Sequence, residues 1–183
     1  ARDRPNFIAN RLGVFTLMHM LQLMEEQVLL VEEVDALTGP LMGRPTSATL
    51  RLCDLIGLDT LAHVAATAER ELLDDPWRGH FVPPPFIERM LTAGLLGAKS
   101  GGGFYRKGKK GIQALDLLTL EYRDVHAVDM GALQEVKGGA QQRINALWQD
   151  GGRWGTLGRR HLSAVLSYAA WHAEEMAGGI VPV

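Results

Sequence analysis

An all-α fold with one minor β-hairpin is the architecture this sequence predicts, and three observations carry the prediction. Apolar residues recur at helical spacing along most of the chain. No alternation of strands with helices implies a parallel sheet. The extended signals cluster around a single glycine-rich turn near the middle. At 183 residues, 46% hydrophobic and 22% charged, the chain can bury a real core and has room for one ordinary domain or one small domain plus part of another. A net charge of -2 gives no electrostatic footprint for nucleic acid or an anionic membrane.

The first helix is expected over residues 6–30, where Phe7, Ile8, Leu12, Phe15, Met18, Leu21, Leu23 and Leu29 follow the helical period, with Pro5 preset for the opening turn and Asp3 as a cap. Its apolar stretch contains His19, Gln22, Glu25, Glu26 and Gln27, so it is not a membrane span. A second helix is expected over residues 31–41, with Glu32, Glu33 and Asp35 in its first turns, where the helix dipole favours negative charge. Gly39-Pro40 and Gly43-Arg44-Pro45 end it, and Thr46 and Ser47 are the expected caps of a third helix running to Ile56. Gly57 to Thr60 breaks and restarts the chain into a fourth helix reaching about Leu73. An irregular stretch holding Trp77 and Phe81 separates it from a fifth helix over residues 85–93, which Gly94 and Gly97 close.

Lys99-Ser100-Gly101-Gly102-Gly103-Phe104-Tyr105 then reads as a turn leading into a short strand, and residues 112–122 as the second strand of the hairpin. A weaker helix is expected over 129–148, a loop at Gly151, Gly152 and Gly155, and a last helix over 156–177.

Several patterns suggestive of chemistry fail on inspection. Gly94 to Ser100 imitates a phosphate loop but has Ala98 between glycine and Lys99 and follows a helix rather than a strand. The triple glycine opens no βαβ unit and does not fit the dinucleotide fingerprint. His19, His63, His80, His126, His161 and His172 show no metal-ligand spacing. The single Cys53 can form no intrachain disulfide, which suits a reducing interior, and it sits among Leu residues as a small buried hydrophobe. Asn10 is different. Asn is a mediocre helix former, and at this depth in a helix its carboxamide serves either a neighbouring loop or a ligand. For Arg11 the reading is an ion pair with Glu25, Glu26 or another acidic neighbour.

Five motifs occur in a telling order: Pro5-Asn6-Phe7-Ile8-Ala9-Asn10-Arg11-Leu12, Val31 to Leu37, Gly43-Arg44-Pro45, Asp54-Leu55-Ile56-Gly57-Leu58-Asp59-Thr60, and Lys99 to Tyr105. Together they resemble the C-terminal helical domain of the NAD-dependent 3-hydroxyacyl-CoA dehydrogenases of fatty-acid β-oxidation, in particular the long, multidomain bacterial type. The resemblance implies a fold like the 6-phosphogluconate dehydrogenase C-terminal domain over residues 1–106. A linker with the short β element would follow over 107–128, and the truncated start of a second helical repeat over 129–183. Gly178-Gly179 and Leu30 depart from the pattern, the latter where relatives often carry a capping Thr.

The resemblance further implies a substrate-binding and dimerisation domain for 3-hydroxyacyl-CoA, cytoplasmic and homodimeric. NAD and a catalytic His–Glu pair would belong to an N-terminal Rossmann domain outside this sequence, with an enoyl-CoA hydratase module fused in some relatives. Within the chain it implies a catalytic role for Asn10 and a substrate-side turn at Pro45. Without the Rossmann domain the chain is expected to be inactive. An opening Ala in place of Met fits a piece of a longer polypeptide. Two rivals stand beside this reading: a free-standing helical association module, and the C-terminal domain of another β-hydroxyacid dehydrogenase.

Overall fold

The structure is a computed structural model in which residues 8–177 are described; Asp3, Pro5 and Gly178-Gly179 lie outside the described residues. Seven α-helices and one small antiparallel sheet make up the described chain. The central element is α1 (Ile8–Gln27). Phe15, Met18, Leu21 and Met24 are fully buried along one stripe, each removing side-chain area worth about 1.5–3 kcal/mol from water. Against that stripe lies the last helix, α7 (Arg153–Ala177), whose Tyr168 ring stacks on Phe15 at 3.9 Å between centroids.

Arg11 leaves α1 on this same side. Its Nε donates to the Tyr168 hydroxyl at 2.8 Å and its Nη2 to Asp75 Oδ2 at 2.9 Å, while Tyr168 donates to the same carboxylate at 2.7 Å. Asp75, in the turn that follows residue 71, is thus an acidic neighbour paired with Arg11, while Glu26 pairs with Arg160. Burial alone would raise the Asp75 carboxyl, but bonds from Tyr168, the Trp77 amide and Arg11 more than offset it and hold the pKa below the usual range.

The second expected helix ends earlier than its sequence suggests. α2 (Val31–Thr38) stops at Gly39, and Pro40–Met42 continues only as a 3-10 turn. Its start keeps half a capping box despite Leu30, because Glu33 Oε2 accepts the Leu30 amide at 2.8 Å. α3 (Leu50–Ile56) begins later than expected, and Thr46 and Ser47 do not cap it. The cap comes from another helix. Asp35 Oδ1 accepts the amides of Thr49 and Leu50 at 3.1 and 2.6 Å, and Oδ2 accepts Arg51 at 3.2 Å. One carboxylate thus closes α3 and ties it to α2.

α4 (Leu58–Glu71) and α5 (Pro85–Thr92) fall where the sequence places them. The glycine-rich segment after α5 has a packing purpose. A Cβ on Gly97 or on Gly103 would collide with the backbone or carboxylate of Asp54, and the Asp54 oxygens accept the Phe104 and Tyr105 amides at 2.8 and 2.9 Å. The expected hairpin proves to be a three-stranded meander: β1 (Tyr105–Lys107), β2 (Ile112–Leu115) and β3 (Tyr122–Asp124), with Tyr105 opposite Ala114 and Ala114 opposite Arg123.

The expected single helix over 129–148 is split by Gly138-Gly139 into a 3-10 turn (Gly131–Glu135) and α6 (Ala140–Gln149). α7 starts three residues before the expected position, and Gly155 lies inside it. Asp150 Oδ2 accepts the Gly155 amide at 2.7 Å, and a Cβ at Gly155 would strike the Asp150 carbonyl. This glycine is there for close approach, not for a loop.

Candidate functional site

Residues 10, 13, 14 and 17 of α1 stand at the i, i+3, i+4, i+7 spacing of one helix face, and Asn10, Gly13, Val14 and Leu17 form one wall of a cleft of roughly 800 Å³. The α2–α3 loop contributes Arg44, Pro45, Ser47 and Ala48, α3 contributes Leu52 and Ile56, and α4 contributes Leu61 and Val64. Its lining is mainly apolar with a few polar groups at the rim, the usual composition of a small-molecule site. Asn10 and Arg11 are neighbours in sequence, but a helix rotates about 100° per residue. Arg11 therefore enters the core, while Asn10 is exposed in the cleft.

The loop wall is strained. Ala48 has φ 50°, a left-handed conformation that costs a non-glycine residue about 1 kcal/mol. Its amide is held by the Pro45 carbonyl at 3.0 Å and its side chain is buried. Such strain persists only where surroundings enforce it.

One charge faces the cleft. Arg44 is half-buried, and burial lowers its pKa. Its Nη2 lies 3.2 Å from His161 Nε2, and His161 Nδ1 lies 3.1 Å from His19 Nδ1. A guanidinium can only donate, so His161 accepts at Nε2 and carries its proton on Nδ1. That proton is donated to His19 Nδ1, leaving the His19 proton on Nε2. Both imidazoles are held neutral: burial pushes His161 well below its ordinary pKa, and burial together with His80 and Arg160 pushes His19 down to about 4.

Elsewhere the sequence candidates resolve simply. Cys53 is fully buried on the inner side of α3, and burial pushes its thiol pKa up, away from the thiolate form a nucleophile needs. Within the triple glycine, Gly103 packs on Asp54 and Gly102 on the Tyr122 hydroxyl. Among the described residues no group of His, Cys, Asp or Glu is placed to hold a metal ion.

A family profile described as 3-hydroxyacyl-CoA dehydrogenase, C-terminal domain, matches residues 7–107, which include the α1 wall, the 44–48 loop, α3 and α4. The chain belongs to this family. A Bacillus subtilis protein named "Probable 3-hydroxyacyl-CoA dehydrogenase" is 41% identical over 182 residues, covering 98% of this chain and 23% of the relative. A Mycobacterium tuberculosis 3-hydroxybutyryl-CoA dehydrogenase is 40% identical over 103 residues, covering 56% of this chain and 34% of the relative. The crystal structure of M. tuberculosis FadB2 superposes with a TM-score of 0.52 at 39% identity, over 59% of this chain and 36% of that one. The chain thus spans about a quarter to a third of the length of these dehydrogenases.

Within this dehydrogenase domain the structure brings Asn10 and Pro45 to one cleft, as two of the residues the sequence singled out. Arg44, Leu52 and Ile56 share the cleft without having been singled out. The i, i+4 spacing of Leu52 and Ile56, next to Leu55 on the exposed side of α3, was the available signal. Arg44 sits in the Gly43-Arg44-Pro45 motif, but the partner that gives it a role in the cleft is 117 residues away.

Proposed function

We propose that this chain is the substrate-binding and dimerisation domain of an NAD-dependent (3S)-3-hydroxyacyl-CoA dehydrogenase of fatty-acid β-oxidation, working in the cytoplasm. The observation that carries the reading is the apolar cleft with an exposed carboxamide at its edge, in a domain of this family. A fatty acyl chain against Val14, Leu17, Leu52 and Leu61 would be shielded from water, and Pro45 would shape the turn beside it. Asn10 would present its carboxamide to the C3 oxygen, donating a hydrogen bond that strengthens as that oxygen becomes a carbonyl, or would hold a catalytic imidazole in place.

NAD, which accepts the hydride, and the His–Glu pair are assigned to a Rossmann domain outside this chain. A relative from Rickettsia felis, provisionally named a fatty acid oxidation complex trifunctional enzyme and 32% identical over 133 residues, supports a multidomain setting, in which an enoyl-CoA hydratase could be fused. Leu55, which is 68% exposed beside Leu52 and Ile56 on α3, supports an association surface there, for the Rossmann domain or for a homodimer partner. We assign residues 129–183 to the start of a second helical repeat. Its helix α7 then packs on α1 of the first, as Tyr168 does on Phe15.

The test is NAD reduction with (3S)-3-hydroxybutyryl-CoA and with longer 3-hydroxyacyl-CoA substrates. The 183-residue chain alone is expected to show no turnover, and the chain joined to its nucleotide-binding domain to show turnover. Enzymatic rates from the chain alone, or none from the joined protein, contradict the proposal.

A further inference from the structure

Arg44 is an anomaly in charge pairing. Among the described residues every other arginine reaches a carboxylate or a carbonyl oxygen, as Arg11 does at Asp75, Arg123 at Glu32 and Arg160 at Glu26. Arg44 is half-buried on the wall of an apolar cleft, yet among the described residues it reaches only the neutral His161 imidazole. Burying a cation without a counter-charge is unfavourable unless an anion joins it. The surroundings offer none. His161 and His19 form a chain of neutral rings behind it, and the cleft in front is lined by the uncharged polar side chains of Asn10, Thr16, Ser47 and Thr60 and by apolar ones.

We propose that Arg44 is the anchor of an oxyanion subsite in the cleft, whose anion is brought by the ligand. Resting on the thioester reading above, the anion is a phosphate of the CoA moiety or a carboxylate carried on the acyl chain. The His161–His19 chain sets the guanidinium. One Nη donates to a fixed imidazole acceptor, which directs the remaining N–H groups, and a planar fork of donors suits a carboxylate or phosphate. Arg44 is then a specificity residue. It distinguishes ligands by their charge, while the apolar walls distinguish them by their length.

The experiment measures dissociation constants of the 183-residue chain by NMR titration for three thioesters of equal acyl length. These are a 3-oxoacyl-CoA, the N-acetylcysteamine thioester of the same acid, and the N-acetylcysteamine thioester of the corresponding α,ω-dicarboxylic acid. At least one anionic thioester is expected to bind more tightly than the neutral one. Arg44→Gln is expected to erase that advantage, about ten-fold or more, the scale of a charge-assisted hydrogen bond, and to cost the neutral ligand much less. Loss confined to the CoA thioester identifies phosphate as the anion, and loss confined to the dicarboxylic thioester identifies carboxylate. Arg44→Lys, which keeps the charge but not the fork, is expected to retain part of the advantage and shows that the effect is not misfolding. Equal affinities of the wild-type chain for all three, or an Arg44→Gln loss shared equally by all three, overturns the subsite. Arg44-dependent binding of an anionic thioester without any binding of the neutral one supports the subsite and counts against the acyl-cleft reading alone. No binding of any of the three overturns both.

Discussion

Asn10 and Arg11 sit one residue apart and answer to different demands. Arg11 is 2% exposed and shares Asp75 with Tyr168, so its removal strands a buried carboxylate. Arg11→Met is therefore expected to lower unfolding free energy by about 3–5 kcal/mol in urea titrations, the usual cost of breaking a buried pair from one side. Asn10 is exposed and has no such partner, so Asn10→Ala should leave the melting temperature nearly unchanged. In the complete dehydrogenase the same variant is expected to lower kcat by about 10²–10³, the size of a lost oxyanion donor. Steady-state kinetics and thermal melts on the two variants check both expectations. Asn10, Arg44 and Pro45 all lie in local motifs of the sequence, and their lining one cleft follows from the fold. The contact of Arg44 with His161 was not legible, because it depends on where α7 brings that imidazole.

At the scale of elements, the sequence read correctly wherever a helix is specified by its own residues, as in α1, α4 and α5. It misread the starts that depend on contacts from elsewhere. Thr46 and Ser47 look like caps of α3, but Asp35 on α2 supplies the oxygens. Burial raises the Asp35 pKa while three amide bonds counter it, so the carboxylate depends on the α3 terminus as much as the terminus depends on it. Asp35→Ala is expected to cost about 1–2 kcal/mol of stability, and Thr46→Ala less than about 0.5 kcal/mol. Chemical denaturation of the two variants separates a cap made within the helix from one made across helices. Gly155 imitates a loop in the same way, and Gly158, one turn further into α7, also serves close approach. A Cβ at Gly158 would lie 2.7 Å from Leu147 Cδ2, so Gly158→Ala should destabilise the α6–α7 contact by about 1–3 kcal/mol despite alanine's better helix propensity. The third strand was missed because β3 is three residues long and pairs only once β2 is in place.

For the molecule as a whole, acid stability is set by opposed titrations. His19, stacked on Phe15 and His80 and facing His161, Arg160 and Glu26, has its pKa pushed down to about 4 from an ordinary 6.5, and burial lowers His161 well below its ordinary value too. The unfolded chain therefore binds protons that the folded chain refuses, and stability falls as pH drops from about 6.5 toward 4. Asp54 acts in the opposite sense: burial raises its pKa from 3.8 to about 6, so the folded chain takes up its proton first and gains stability as pH falls through 6. Melting temperature is expected to drop between pH 7 and pH 5 on balance, to drop less in His19→Gln, and to drop more steeply in Asp54→Asn.

The same whole-molecule view places α1 between two tasks, one face against α7 and the core and the other open to the cleft. The most direct test of this division is the NMR shift map of the wild-type chain titrated with a 3-oxoacyl N-acetylcysteamine thioester. Shifts at Gly13, Val14, Leu17, Ala48, Leu52 and Leu61, with Phe15, Met18 and Tyr168 unmoved, are the predicted result. A map centred anywhere else, or no shifts at all, would contradict the assignment of this cleft to the thioester.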